Sequence, residues 1–367
     1  MTTNVAFHPK WVSAPGDTIL DVLGKRHWTV EDLADHIGLS DPETRRIVVG
    51  EKEIDGQIAD RLATALGGSS DFWLTRERRY RDGIRWLAVE EISRSLPIEQ
   101  MADFGWIASR GRDWHERAEA CIRFFGVTSA EEWNDRYGQV VSQARYRASA
   151  AFDANDTSVA VWLRQAELEA EPIALSEWNP QGLRGTIPRL RLMTREANPE
   201  SFIPILTRTL GELGVALAVV RTPKGCPMSG AAFMSQSGRR TIALSARHLT
   251  DDHFWFSLMH EVGHVLMHDL TDAVVDDLDS GSDEHTEVEA NEFAADALNP
   301  AGLSQLTAGK DRGPTLRQVV AFASQQGVAP GVVVGQLQHA EILRPNQLNH
   351  LRRRYKWDGT SLKTARR

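Results

Sequence analysis

The apolar positions of the first eighty residues recur every three or four residues, which is the spacing of one buried face of an α-helix. On this pattern four helices are predicted: Asp17 to Lys25, Val30 to Ile37, Ser40 to Val48, and one that carries Ile58, Leu62, Ala63 and Leu66. Phe72-Trp73-Leu74 follows them, and we expect this segment to close the unit against its core. The N-terminal part of the chain is therefore predicted to be a small helical bundle.

Polar residues at the predicted helix starts support the second and third helices. Thr29 with Asp32, and Ser40 with Glu43, have the spacing of a capping box, in which each side chain bonds the backbone N–H of the other residue. Gly38 supplies a turn between the two helices. A helix, a short glycine turn and a following helix predict a helix-turn-helix, with the third helix in the recognition position.

The pattern changes towards strands in the second half of the chain. Residues 81–185 continue with helical patterns that carry no chemistry, and they are predicted to be a helical connector. Val215 to Val220 is a continuous apolar run, typical of a buried strand. Residues 231–234 and 241–244 flank a Ser-Gly turn and predict a β-hairpin. Strands followed by a long helix indicate a second domain of a different kind.

The whole chain is predicted to be an α+β protein that is mostly helical. After Pro300 two short helices are expected, Leu316 to Gln325 and Val332 to His339. The basic run from Leu351 to Trp357 is predicted to be a solvated helix end or, alternatively, to contact nucleic acid or the acidic residues 271–289. The expected divisions are a helix-turn-helix domain (1–80), a helical connector (81–185), a domain with a small sheet (186–300), and C-terminal helices with a basic tail (301–367).

One predicted helix, Asp251 to His268, carries a motif with chemistry. It contains His260-Glu261-Val262-Gly263-His264, in which the two histidines are four residues apart and share a helix face. Two imidazoles on one face can hold a divalent metal, typically zinc. Glu261 lies beside the open side of such a site, where a carboxylate can accept a proton from an attacking water. The sequence therefore predicts a catalytic metal site on this helix.

A second, acidic helix follows at Glu287 to Leu298 and is stopped by Asn299-Pro300. Its alanine face can lie close against the first helix, where Gly263 leaves room for close packing or for a substrate. A carboxylate brought in this way completes a set of two His and one Glu, the open set of a catalytic zinc site. Glu287 and Glu289 point about 200° apart on a helix, so only one of them can face the metal. The pattern alone leaves that choice open.

These two motifs resemble those of the ImmA/IrrE family of zinc metallopeptidases, over about residues 200 to 300. The second motif reads Glu289-Ala290-Asn291-Glu292-Phe293-Ala294-Ala295. The resemblance implies a small gluzincin-like fold with Glu261 as general base. It also implies one Zn²⁺ per chain, held by His260, His264 and Glu289.

Residues 17–80 resemble the Xre/HigA type of antitoxin domain, through Ile37-Gly38-Leu39-Ser40 and Phe72-Trp73-Leu74. The resemblance implies that a homodimer binds operator DNA, with its groove-facing residues being Thr44, Arg45 and Arg46. The charge argues the other way. Nine basic residues stand against thirteen acidic ones in this range, a net charge of −4, and phosphate contacts supply much of DNA affinity. Both readings stay open: a DNA-binding domain, or a dimerisation and partner-binding module.

Length and composition add further constraints. The 367 residues suffice for two or three domains, and the net charge of −8 argues against a globally basic nucleic-acid binder. The two cysteines are expected to be reduced, no apolar run reaches membrane-spanning length, and no signal segment is recognised, so a cytoplasmic protein without a membrane partner is expected.

Residues 271–289 hold eight acidic residues and no Lys or Arg. They predict a solvated acidic loop or, alternatively, a lid that favours a basic substrate.

Together these features predict a regulatory zinc metallo-endopeptidase. The family resemblance implies that its partner is a protein substrate, a repressor or an antitoxin-like protein, cleaved in a stress or phage response. The alternative belongs to another class: a DNA-binding antitoxin or transcriptional regulator whose zincin domain is a sensor or scaffold. Glu261 favours the enzyme, because a scaffold needs no general base.

Overall fold

The protein is described here by a computed structural model that covers residues 12–108, 110–111, 113–138, 156–270, 284–307 and 313–365. Within them the chain forms two compact units. The first comprises the residues up to Ser95 together with Ala108–Asn134, and the second comprises Leu96–Ile107 and the residues from Asp135 onward. The predicted connector, residues 81–185, is therefore divided between the two units.

The described residues are mostly helical and include two small β-sheets, which agrees with the predicted α+β class. The helices are α1 Pro15–Arg26, α2 Val30–Ile37, α3 Asp41–Val48, α4 Gly56–Leu66, α5 Ser70–Ser95, α6 Ile98–Asp103, α7 Trp114–Phe125, α8 130–138, α9 Asp156–Ala170, α10 Pro180–Met193, α11 Pro199–Gly211, α12 Asp251–Met267, α13 Glu284–Leu298, α14 Ser304–Thr307, α15 Leu316–Gln326 and α16 Pro330–His339. The strands are β1 Val215–Val219, β2 Gly230–Met234, β3 Arg240–Leu244, β4 Tyr355–Asp358 and β5 Ser361–Thr364.

The four predicted N-terminal helices are confirmed, and so are the two capping boxes. The Thr29 and Asp32 side chains bond each other's backbone N–H groups, and Ser40 and Glu43 do the same. Gly38 ends α2 in the left-handed region, at φ +61°, which glycine adopts without strain. The largest fully buried side chains of this unit include those of Ile19, Leu33, Ile47, Leu62 and Trp73. Phe72 is exposed, so the predicted closing segment reaches the core through its tryptophan.

The predicted strand and hairpin of the second unit are confirmed as a three-stranded sheet of order β1-β3-β2. The central strand β3 pairs in parallel with β1 and antiparallel with β2. Side chains alternate between the two faces of a sheet. Leu217 and Ile242 pack into the apolar cluster that contains Trp255 of α12, whereas Ala218 packs into the one that contains Trp162 of α9. Helices thus cover both faces, and β2 is left as an outer strand.

The prediction for the basic run near the C-terminus was wrong. Instead of a solvated helix end, the chain makes a short 3₁₀ turn at Asn349–Leu351 and then an antiparallel hairpin of β4 and β5. Arg352 forms a 2.8 Å ion pair with the buried Asp252, and the Arg353 backbone N–H donates to Asp251. The run is folded because it supplies positive charge and donors to buried carboxylates at the start of α12, about a hundred residues earlier in the chain.

Two further expectations concern membranes and the acidic loop. Among the described helices, none is long and apolar enough to cross a bilayer. Residues 271–283, which make up most of the predicted acidic loop, lie outside the described residues, while the remaining part of that stretch is the first turns of α13.

Candidate metal centre and active site

The site is built where α12 and α13 cross closely. Gly263 lies at the crossing: a Cβ added to it would lie 3.1 Å from the Phe293 ring and 3.4 Å from the Cα of Ala290. Small residues on both helices therefore let the two backbones approach, as the sequence predicts. The close approach brings side chains of α13 to the face of α12 that carries the two histidines.

Two imidazoles and one carboxylate converge at this crossing. The Nε2 atoms of His260 and His264 are 3.0 Å apart. The carboxylate of Glu287 lies 3.4 Å from the His260 Nε2 through one oxygen and 3.7 Å from the His264 Nε2 through the other. His264 is fully buried, and His260 is 8% exposed. In the described part of the chain, this is the one group of three His, Cys, Asp or Glu side chains close enough to share a metal ion.

The spacing of these atoms fits zinc. A tetrahedral zinc ion binds nitrogen and oxygen at about 2.0–2.1 Å, which puts neighbouring ligand atoms about 3.3 Å apart. The observed separations of 3.0, 3.4 and 3.7 Å bracket that value. Glu287 Oε1 is also buried without a hydrogen-bond partner among the described residues, a costly state that a bound cation would relieve. Two His and one Glu leave a fourth position open for water or substrate.

Glu289, which the family resemblance implies as third ligand, lies elsewhere. Its carboxylate is 3.2 Å from His268 Nε2 and 3.5 Å from His285 Nδ1. The geometry therefore groups Glu287, and not Glu289, with the two motif histidines. On α13, Glu287 stands three and seven residues before Ala290 and Ala294, which are both fully buried, so it shares the helix face that is turned inward.

The second ring nitrogen of each motif histidine also has a partner. His260 Nδ1 lies 3.1 Å from the Asn291 side-chain oxygen, and His264 Nδ1 lies 2.8 Å from His268 Nδ1. Such contacts hold an imidazole in one orientation and determine which nitrogen carries the hydrogen. Sequence reasoning missed His268, although it stands four residues after His264 and continues the same helix face.

Glu261 is almost fully buried, at 1% exposure, and it borders the outer strand β2. A Cβ on Gly230, the first residue of β2, would collide with the Glu261 carboxylate. Glycine at this point of the strand therefore leaves the space that the carboxylate occupies. The role of Gly230 was also missed, because a glycine at the start of a predicted strand has many ordinary explanations.

The start of α12 holds further buried acids. Thr250 precedes the helix but makes no side-chain cap. Asp251 instead accepts hydrogen bonds from the backbone N–H groups of Asp252 and Arg353. Burial, followed by the like charge of Asp252, raises the pKa of Asp251 to about 6.

A cavity of about 310 Å³ lies beside the first turns of α12. Its lining includes His253, Phe256, His339 and Arg352. The Phe256 ring lies 6.4 Å from the rings of both His260 and His339. His339 and His260 thus lie on either side of the Phe256 ring, and His339 lines the cavity.

The residues expected to face DNA stand in different surroundings. Thr44 is fully buried, and its hydroxyl donates to the Ser40 carbonyl, so its side chain is not presented to a partner. Arg45 is ion-paired with Asp41 at 3.0 Å and with Glu31. Arg46 is 60% exposed, with its Nε 3.7 Å from a Glu51 carboxylate oxygen.

Comparison with known proteins bears on the second unit. Residues 218–303 match the family model described as Peptidase_M78, IrrE N-terminal-like domain. No curated protein matches the chain. The matched segment runs from within β1 to just beyond α13, so it contains Glu261 and the whole cluster of His260, His264 and Glu287. The part of the chain that carries the site is therefore similar to a family of metallopeptidases of the ImmA/IrrE type.

Proposed function

We propose that the protein is a zinc-dependent endopeptidase. Its zinc ligands are His260, His264 and Glu287, and Glu261 is its general base. The observation that carries the proposal is the convergence of two imidazole nitrogens and a carboxylate at the spacing of a zinc site. The same segment is similar to the Peptidase_M78 family. A buried Glu261, the residue that follows the cluster's His260, distinguishes this arrangement from a closed structural metal site.

In the proposed reaction, the chain's own groups move the proton and hold the ligands. When bound, zinc polarises the scissile carbonyl and lowers the pKa of the attacking water. The Glu261 carboxylate accepts the proton from that water and delivers it to the leaving amine. His260 and His264 present Nε2 to the metal, because their Nδ1 atoms are engaged by Asn291 and His268. Burial of these groups keeps bulk water out and strengthens their electrostatic interactions.

The outer strand β2 supports the choice of an extended peptide as substrate. Among the described strands, β2 pairs on one side only, with β3. An extended peptide that added to the other edge would run past Gly230 and the Glu261 carboxylate. Binding by main-chain hydrogen bonds along a strand suits cleavage within a chain rather than at its end. The substrate class we propose is a protein, a repressor or antitoxin-like regulator, in the cytoplasm.

We also propose that the first unit binds a partner. The partner to test first is operator DNA, which the unit would bind as a homodimer. Two helices joined by the Gly38 turn support this. Arg46 is the best placed of the three predicted residues, since Thr44 is buried and Arg45 is paired. The test is binding to the protein's own promoter DNA and to random duplex at two salt concentrations. Equal binding to both, or unchanged binding by Arg46→Ala, would remove DNA as the partner.

The test of the peptidase uses Glu261→Gln in the full-length protein. Because Glu261 is not a ligand in this proposal, the variant keeps its zinc but loses cleavage, by about 10²- to 10⁴-fold. New protein N-termini in cells that express the wild type, compared with cells that express Glu261→Gln, identify the substrates. Glu292→Gln, an exposed change on α13, is the matched control and retains full activity. Loss of zinc in Glu261→Gln, or identical cleavage patterns, would contradict the proposal.

A further inference from the structure

A chain of hydrogen bonds leads from the surface of α13 to the buried histidine of the metal cluster. His264 Nδ1 is 2.8 Å from His268 Nδ1, and His268 Nε2 is 3.2 Å from a Glu289 carboxylate oxygen. The exposed fraction of the side chain falls from 43% at Glu289 to 9% at His268 and to zero at His264. A buried imidazole needs partners for both nitrogens, and His268 finds them in these two residues.

The positions of the hydrogens in this chain follow from the cluster itself. A histidine nitrogen that binds a metal carries no hydrogen, so with Nε2 at the cluster, His264 carries its hydrogen on Nδ1. That N–H donates to His268 Nδ1, which must therefore be an acceptor. His268 then carries its hydrogen on Nε2 and donates it to the Glu289 carboxylate. Each link has one donor and one acceptor, and reversing any link would direct a hydrogen at the metal.

We infer that His268 and Glu289 are positioning residues that hold His264 in the metal-binding tautomer and orientation. The inference rests on the proposed zinc site and gives Glu289 a role other than that of a ligand. Partners of this kind raise the basicity of the ligand and fix its ring. His260 is held in a shorter way, directly by Asn291. Helix α13 thus supplies the ligand Glu287. It also supplies Asn291, which orients His260 directly, and Glu289, which orients His264 through His268.

The first test measures the zinc affinity of the full-length protein by competition with a chelator. Loss of the hydrogen bonds that orient His264 is expected to weaken zinc binding by about 10- to 100-fold, in His268→Ala and in Glu289→Ala alike. Glu289→Gln is expected to recover most of the affinity, because its amide oxygen can still accept from His268 Nε2–H. Glu292→Gln on the same helix is the control and keeps wild-type affinity. Wild-type affinity in Glu289→Ala would overturn the inference.

The second test combines the two changes. Because Glu289 acts through His268, the double variant His268→Ala/Glu289→Ala is expected to bind zinc no more weakly than His268→Ala alone. A ligand role for Glu289 predicts additive losses instead, and additive losses would overturn the relay. The visible absorption of the cobalt-substituted protein gives a second readout, expected to keep its tetrahedral character in Glu289→Ala and to lose it in Glu287→Ala. Glu289 is half exposed, so its variants remain informative even where His268→Ala folds poorly.

The two proposals fail in different ways. A wild type that takes up no zinc, or a Glu287→Ala variant with wild-type affinity, refutes the zinc site and the relay with it. A wild type that binds zinc, together with a Glu287→Ala variant that does not and a Glu289→Ala variant of full affinity, refutes the relay alone.

Discussion

The candidate metal centre and helix α3 are both rich in ionisable side chains, but they hold them in opposite ways. At the centre, His264 is fully buried and Glu261 is 1% exposed. On α3, the side chains of Arg45 and Arg46 are 53% and 60% exposed. The groups of the centre converge on one point, whereas the arginines of α3 pair with acids of their own neighbourhood.

The difference shows which charged residues carry information about function. Burying an ionisable side chain is costly unless a charge or a hydrogen bond compensates it, so a buried cluster indicates a bound cation or a catalytic role. An exposed ion pair contributes little to stability and occurs on most protein surfaces. The function proposed for the centre therefore rests on the energetic cost of burying charged groups. The function proposed for α3 rests on a family resemblance and on the helix-turn-helix arrangement.

The largest expected effect tests burial at the start of α12. Arg352→Ala leaves the Asp252 carboxylate buried without its 2.8 Å ion-pair partner. Removing one partner of a buried pair costs about 3–5 kcal/mol of unfolding free energy. Urea unfolding of the second unit, followed by tryptophan fluorescence, measures it. A variant as stable as the wild type would show that Asp252 does not depend on this pair.

The next effect tests the space beside Glu261, the proposed general base. Gly230→Ala places a Cβ against the Glu261 carboxylate and must displace it. A displacement of about 1 Å can cost 10²-fold in rate, with zinc content unchanged. Gly185→Ala, where the added Cβ meets nothing within 4 Å, is the matched control. Full activity in Gly230→Ala would show either that Glu261 takes no part in the reaction or that Gly230 does not lie against its carboxylate.

A smaller effect concerns pH. The folded state raises the pKa of Asp251 to about 6, so the folded protein binds a proton that the unfolded chain has already lost. This contribution to stability is present below the unfolded value and is lost as pH rises through 6. Between pH 5 and 7 it amounts to roughly 1 kcal/mol. In Asp251→Asn that part of the pH dependence disappears, as urea unfolding at the two pH values measures, while an unchanged slope would exclude Asp251 as its source.

The smallest effect is expected on α3. Arg45→Ala removes ion pairs with Asp41 and Glu31 that lie in solvent. The unfolding midpoint of the first unit should not change measurably, and a small sensitivity to salt in the wild type should vanish with it. A midpoint drop comparable to that of Arg352→Ala would erase the contrast between the two regions.

Local patterns predicted the elements well, and distant contacts escaped them. The two capping boxes gave the limits of α2 and α3, and the hairpin around the Ser-Gly turn was recognised from its own residues. The motif of His260 and His264 needs only helical spacing. Which glutamate completes the site depends on how α13 rotates against α12, and the docking of Arg352 joins residues a hundred positions apart. Neither is encoded within one window of sequence.

The zinc content of purified Glu287→Ala and Glu289→Ala tests the central claim most directly. Elemental analysis of the wild-type protein, prepared without chelators, should give about one zinc per chain. Glu289→Ala should keep that zinc at micromolar protein concentration, since its affinity falls without losing a ligand, and Glu287→Ala should lose it. Zinc retained in Glu287→Ala and lost in Glu289→Ala would contradict the account.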